Sequence, residues 1–218
     1  MSATDLPSPV TGNCPVLQAL NLECLRGESL LFGGLSFGVS EGEVLQVEGA
    51  NGSGKTSLLR ILAGLSPPAE GEVHWRGENI AQRRAVFFGE IAYLGHHLGL
   101  KAELTVLENL RLAFALNGVP NSPERLDEAL DRVGLLDRAD LPVRALSAGQ
   151  RQRVALARMV SSGAALWILD EPFTALDAAG VALVRSLLEA HAARAGLAVL
   201  TSHQAVELRS GLSRLVLQ

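Results

Sequence analysis

Val44-Leu45-Gln46-Val47-Glu48-Gly49-Ala50-Asn51-Gly52-Ser53-Gly54-Lys55-Thr56-Ser57-Leu58-Leu59-Arg60-Ile61-Leu62 reads as a short buried strand, a glycine-rich turn and a helix. Leu58, Leu59, Ile61 and Leu62 give the helix an apolar face. From Gly49 to Thr56 the turn matches G-x-x-x-x-G-K-[ST]. Glycines let a backbone wrap closely around a ligand, so successive N–H groups converge on phosphate oxygens. The helix that follows adds its unpaired N–H groups and the positive end of its dipole. The expected phosphate contacts are therefore Gly49, Ala50, Asn51, Gly52, Ser53, Gly54, Lys55, Thr56 and Ser57. Lys55, one of only two lysines in the chain, would bring a point charge to the β- and γ-phosphates. Thr56 would offer its hydroxyl to Mg²⁺.

Composition narrows what the rest of the chain can be. With 218 residues, 48% of them hydrophobic, the chain can build one generous core. Aromatics at 4% are too few for a base-stacking surface, and a net charge of −4 predicts no broad basic face for a nucleic-acid backbone. Cys14 and Cys24 lack the number and spacing of a disulfide framework or zinc site, which fits a reducing compartment. No apolar run reaches the roughly 18 residues that a membrane-spanning helix needs. Residues 1–16, with Pro7, Pro9 and Pro15 and no signal-peptide pattern, predict a flexible extension ahead of a domain at 17–218.

Along the chain, Leu20–Leu25, Ser29–Val39 and Val44–Glu48 carry strand patterns separated by glycine turns. Gly64 and Pro67-Pro68 end the first helix, and strands are predicted over Gly71–Gly77 and Ile91–Leu94. Thr105 to Glu108 forms a capping box for a helix to about Leu116. Ser122-Pro123 opens another helix, closed by Gly134. Residues 97–162 thus read as a small helical subdomain on an α/β core.

Two more strands are continuous apolar runs, as in a parallel sheet covered on both faces. Ala164–Leu169 ends in Asp170-Glu171, and Leu197–Leu200 ends in Thr201-Ser202-His203. Open α/β sheets bind ligands at the carboxyl edge, so Lys55, Asp170, Glu171 and His203 are expected together. Asp170 is placed to hold Mg²⁺ and Glu171 to polarise a water aimed at the γ-phosphate. His203 would orient that water. Ser147-Ala148-Gly149-Gln150 is both a capping box for a helix over 148–161 and a potential anion site, and both roles can hold at once.

Leu146-Ser147-Ala148-Gly149-Gln150, twenty residues before Asp170, resembles the signature motif of ATP-binding cassette (ABC) proteins. Thr174-Ala175-Leu176-Asp177 resembles that family's D-loop, and His203 its switch histidine. The resemblance covers about residues 18–218 and implies a P-loop fold with a mainly parallel core sheet, an antiparallel β subdomain and the helical subdomain. It also implies ATP and Mg²⁺ as ligands and a head-to-tail sandwich. There Ser147, Ala148, Gly149 and Gln150 of a second copy would close over ATP held by the first, with Glu171 and His203 catalytic.

Within the family, Tyr93-Leu94-Gly95-His96-His97, Leu98–Thr105 and Leu169–Asp177 are most similar to the ATPase subunits of the haem exporter of cytochrome c maturation, the CcmA type. That likeness implies an ATPase coupled to transport, with integral membrane partners of the CcmB and CcmC type. These would dock on the groove at about His96–Leu116 and hold the subunit at the cytoplasmic face of the bacterial inner membrane. The usual Q-loop glutamine falls on His96, which would take its place beside the metal-bound water. No aromatic stands near Leu25-Arg26, where relatives stack adenine, so Arg26 is the expected platform. No C-x-x-C-H site exists and no direct haem contact is expected. The alternatives are a cassette serving another cargo, or a soluble ABC ATPase acting on nucleic acid or the ribosome. The latter proteins usually carry paired cassettes, coiled-coil or zinc insertions and basic surfaces, which this sequence lacks.

Overall fold

The computed structural model describes residues 15–203, 206–209 and 211–217. The extension expected at 1–16, Cys14 included, lies outside the described residues except for Pro15 and Val16. Val16 already bonds to Val39 through its N–H. Among the described residues, nine strands and six α-helices follow in the order β1 (Leu17–Arg26), β2 (Ser29–Val39), β3 (Val44–Gly49), α1 (Lys55–Leu62), β4 (Glu70–Trp75), β5 (Glu78–Asn79), α2 (Arg84–Glu90) and β6 (Ile91–Leu94), then α3 (Val106–Leu116), α4 (Pro123–Asp131), α5 (Ala148–Val160), β7 (Leu166–Leu169), α6 (Ala178–Ala192), β8 (Leu197–Thr201) and β9 (Leu212–Leu217). The N-terminal strands form an antiparallel sheet in the order β2-β1-β4-β5. The core sheet is parallel throughout, ordered β6-β7-β8-β3-β9. Helices α3, α4 and α5 pack against one another, and α5 also packs on β6.

Alternation along the core strands sorts side chains between two hydrophobic cores. Leu45, Val47, Leu166, Ile168, Leu197 and Val199 face α1 and the antiparallel sheet. Val44, Trp167, Leu169, Ala198 and Leu200 face the helical side. Both faces of β7 and β8 are therefore dry, which is why Leu166–Leu169 and Leu197–Leu200 are unbroken apolar runs. The same alternation carries Asp170 and Thr201, each two residues past a side chain on the α1 face, toward that face at the strand ends.

Among the described residues, the short strand β5, helices α2 and α6 and the edge strand β9 were not expected from the sequence. Strand β9 closes the sheet beside β3, with Gly49 opposite Leu217. In α6, His191 lies buried with its ring stacked on Trp167, centroids 3.9 Å apart and planes 7° apart. It also bonds to the Leu197 carbonyl at 3.1 Å. Gly196 makes the space, since a Cβ there would sit 2.3 Å from the His191 ring. Burial, outweighing the carbonyl bonds, holds the His191 pKa below that of a free imidazole.

Candidate nucleotide-binding site

The turn after β3 is built by close backbone contacts that only glycine allows. Gly49 has φ +150°, and a Cβ there would lie 2.6 Å from Ser53 Oγ and 2.8 Å from the Leu217 carbonyl. Gly54, at φ +95°, precedes α1 and packs against Leu31 and Phe32 of β2. Helix α1 has no side-chain N-cap and no acidic residue in its first turn, so its N–H groups and dipole face the turn without competition. Lys55 Nζ donates to the carbonyls of Gly49 (2.8 Å) and Ala50 (3.1 Å), which holds the ammonium over the loop. Ser53 Oγ is buried and has no hydrogen-bond partner among the described residues. An orphaned hydroxyl, a free helix N-terminus and a poised lysine are a donor set that suits a polyphosphate.

The acids stand at the adjoining strand ends. In the sheet, β7, β8 and β3 are consecutive neighbours, and α1 packs across all three. Asp170 is buried, and its Oδ1 accepts a 2.7 Å bond from the Thr201 hydroxyl. Glu171 has φ +54°, a left-handed conformation unfavourable to a residue with a side chain. Its N–H donates to Thr201 Oγ1 at 2.9 Å. Its carboxylate accepts from the His203 N–H at 3.3 Å and lies 3.4 Å from His203 Nε2. Of the four residues expected together, Glu171 and His203 touch directly, Asp170 and Glu171 meet through Thr201, which sequence reasoning gave no role, and Lys55 bonds to Gly49 and Ala50. The only hint of it was a hydroxyl at the end of an apolar strand, two residues before a histidine.

Next to the acids, on β6, Tyr93 is half-buried, and burial followed by the Asp170 carboxylate raises its pKa, so the phenol stays protonated. Its ring occupies the place a Gly95 side chain would need, 2.6 Å from that Cβ position. His96, one residue on, is exposed, its ring edge-on to His97 with centroids 5.5 Å apart. Among the described residues no cluster of three or more His, Cys, Asp or Glu forms a metal cage. Asp170 and Thr56 offer a carboxylate and a hydroxyl, hard oxygen donors of the kind that suit Mg²⁺. Leu25 pairs with Leu30 across the β1–β2 hairpin, both about half exposed, just ahead of the residues that pack on Gly54.

Ser147, Ala148, Gly149 and Gln150 lie elsewhere. The capping box at α5 forms as expected: Ser147 Oγ accepts from the Gln150 N–H (3.2 Å), and Gln150 Oε1 accepts from the Ser147 N–H (2.9 Å). Gly149 abuts the Ala175 carbonyl, where a Cβ would approach to 2.8 Å. Arg153 bonds Asp177, the N-cap of α6, at 3.1 Å. Ser147, Gly149, Gln150, Arg153 and Asp177 line a cleft of about 300 Å³ with Ala175 and Leu176, and its lining includes none of Gly49–Ser57, Asp170, Glu171 or His203. Within one chain, the Ser147–Gln150 cleft and the glycine-rich turn are therefore separate features.

Comparison with known proteins agrees with this geometry. The family model described as ABC transporter matches residues 32–174. The cytochrome c biogenesis ATP-binding export protein CcmA of Methylococcus capsulatus is 60% identical over 193 residues, covering 88% of this chain and 93% of that protein. The protein of that name from Hahella chejuensis is 47% identical over 208 residues, 95% of this chain and 98% of its own. A dimeric ATP-binding cassette solved in a post-hydrolysis state with ADP and phosphate superposes with TM-score 0.75 at 26% identity, covering 86% of this chain and 88% of that one. The ATP-binding subunit of an ABC transporter gives TM-score 0.78 at 26% identity, covering 86% and 80%. Motif, fold and length of match together place this chain in the ABC transporter family of ATPases, in the group that holds the CcmA proteins.

Proposed function

We propose that this chain is the ATP-hydrolysing subunit of a membrane complex that exports or handles haem for cytochrome c biogenesis. The observation that carries the reading is the division of the site. A phosphate cradle with its acids sits at one sheet edge, and a helix N-terminus with Ser147 and Gly149 lines a separate cleft. Neither half encloses a triphosphate by itself, so two copies arranged head to tail would complete two sites. Gly49–Ser57 would bind the phosphates, with Lys55 against the β- and γ-phosphates. Thr56 and Asp170 would hold Mg²⁺, which when bound neutralises charge on the transferring phosphoryl group. Glu171 would accept the proton of the attacking water as its oxygen bonds the γ-phosphorus and ADP leaves, and His203 would hold the geometry. Ser147, Ala148, Gly149 and Gln150 of the second copy would face the same γ-phosphate. His96 would take the place of the Q-loop glutamine beside the metal-bound water, and Arg26 with the Leu25–Leu30 pair would form the adenine platform.

No described helix is long and apolar enough to cross a membrane. Docking at the cytoplasmic face of the inner membrane would therefore come through integral subunits of the CcmB and CcmC type, seated near His96–Leu116. The CcmA names of the relatives support this choice of cargo and partners. Flotation with membranes on co-expression with those subunits, and ATP turnover in the purified assembly, are the expected results. Persistent solubility with co-purified nucleic acid would overturn the reading.

A further inference from the structure

We propose that Thr201 is the positioning residue that holds Asp170 and Glu171 in register, making one rigid unit of the carboxyl ends of β7 and β8. The proposal rests on the nucleotide reading above and adds a residue to that machinery. Thr201 is completely buried at the end of β8. Its hydroxyl is used in both directions: it accepts the Glu171 N–H at 2.9 Å and donates to Asp170 Oδ1 at 2.7 Å. A hydroxyl has one proton to give, and giving it to Oδ1 fixes the rotation of the Asp170 carboxylate. Accepting from Glu171 holds that residue at φ +54°, a conformation a glutamate keeps only when its surroundings impose it. Two residues beyond Thr201, His203 grips the Glu171 carboxylate through its N–H and lies near it through Nε2. Metal-binding acid, water-activating acid and histidine are thus all tied to the short segment that Thr201 anchors.

An ordinary apolar strand end would satisfy packing at this position equally well, since β8 is apolar from Leu197 to Leu200. The hydroxyl is therefore there for the bonds it makes. Thr201→Val preserves shape and leaves the part-buried Glu171 N–H and the buried Asp170 Oδ1 without this partner. Thr201→Ser preserves both bonds. Thr201→Cys preserves volume with a weak donor, and it serves if the valine variant does not fold.

The test uses the full chain, with ATP turnover measured alongside Mn²⁺ binding in the presence of ADP, followed by electron paramagnetic resonance. Partners that orient metal-site ligands typically contribute 10–100-fold, so Thr201→Val should lower kcat and weaken Mn²⁺ binding by about that factor. ATP binding without metal and the KM for ATP should stay within roughly 2-fold, because the Gly49–Thr56 cradle is untouched. Thr201→Ser should restore kcat and Mn²⁺ affinity to within about 3-fold of wild type. Unchanged Mn²⁺ affinity and kcat in Thr201→Val, a loss that serine does not restore, or failure of both the Val and Cys variants to fold would overturn the positioning role alone. Wild-type protein that bound no nucleotide would overturn the functional reading and this proposal together.

Discussion

Replacing Glu171 with glutamine alters charge at nearly constant shape, and the structure separates its two consequences by size. The backbone N–H of residue 171 still donates to Thr201, and the amide oxygen can still accept from the His203 N–H. What disappears is the carboxylate charge beside His203 Nε2, 3.4 Å away, with the histidine side chain 61% exposed and the glutamate 22%. Such a solvated pair contributes at most about 1 kcal/mol, a shift of roughly 2–4 °C in Tm for a chain of this size. The kinetic loss is larger. A positioned general base contributes about 10²–10⁴ in rate, or roughly 3–5 kcal/mol of barrier at 1.36 kcal/mol per decade. Glu171→Gln should therefore keep its fold and its ATP affinity, lose at least about 100-fold in phosphate release, and accumulate as an ATP-bound dimer on size exclusion. Turnover within a few-fold of wild type, or a rate loss explained by lost stability, would refute the assignment of water activation to this residue.

Two further outcomes follow from other parts of the molecule. Lys55→Ala removes the ammonium now held over the Gly49 and Ala50 carbonyls, and ATP affinity by calorimetry should fall roughly 10–100-fold, as for charged hydrogen bonds to phosphate. His191 predicts a pH dependence of stability. Its folded pKa lies below the unfolded value of about 6.5, so the unfolded chain binds the extra proton first as pH falls. Its stabilising contribution is complete above about pH 6.5 and is lost as pH drops through the folded pKa. Urea midpoints followed between pH 8 and 5 should fall less in His191→Gln than in wild type, and identical slopes would contradict the buried neutral imidazole.

How much of this was legible in the sequence depended on whether the signal was local. The turn at Gly49–Thr56 announces itself because glycines, lysine and threonine must stand at fixed spacing. The ends of β7 and β8 were equally plain, since unbroken apolar runs stop abruptly at Asp170 and Thr201. The capping boxes at Thr105 and Ser147 formed as read, because a cap involves residues three apart. Helix α6 was missed because Ala178, Ala179, Gly180, Val181 and Ala182 put small residues on every face and blur the helical period. Helix α2 lacks a side-chain cap, so nothing local marks its start. Strand β9 is only partly buried, and pairing with β3 is what makes it a strand. Thr201 belongs to the same class. A threonine ending a strand is unremarkable until the fold brings Asp170 and Glu171, thirty residues away, to its hydroxyl.

The claim on which the account turns is that two chains share each nucleotide. A structure of the Glu171→Gln protein with Mg²⁺ and ATP tests it most directly. The expected result is two ATP molecules at a dimer interface, each with its phosphates on the Gly49–Thr56 turn of one chain and facing Ser147 and Gly149 of the other. ATP bound away from that turn, or enclosed by the turn and Ser147 of the same chain, would contradict it.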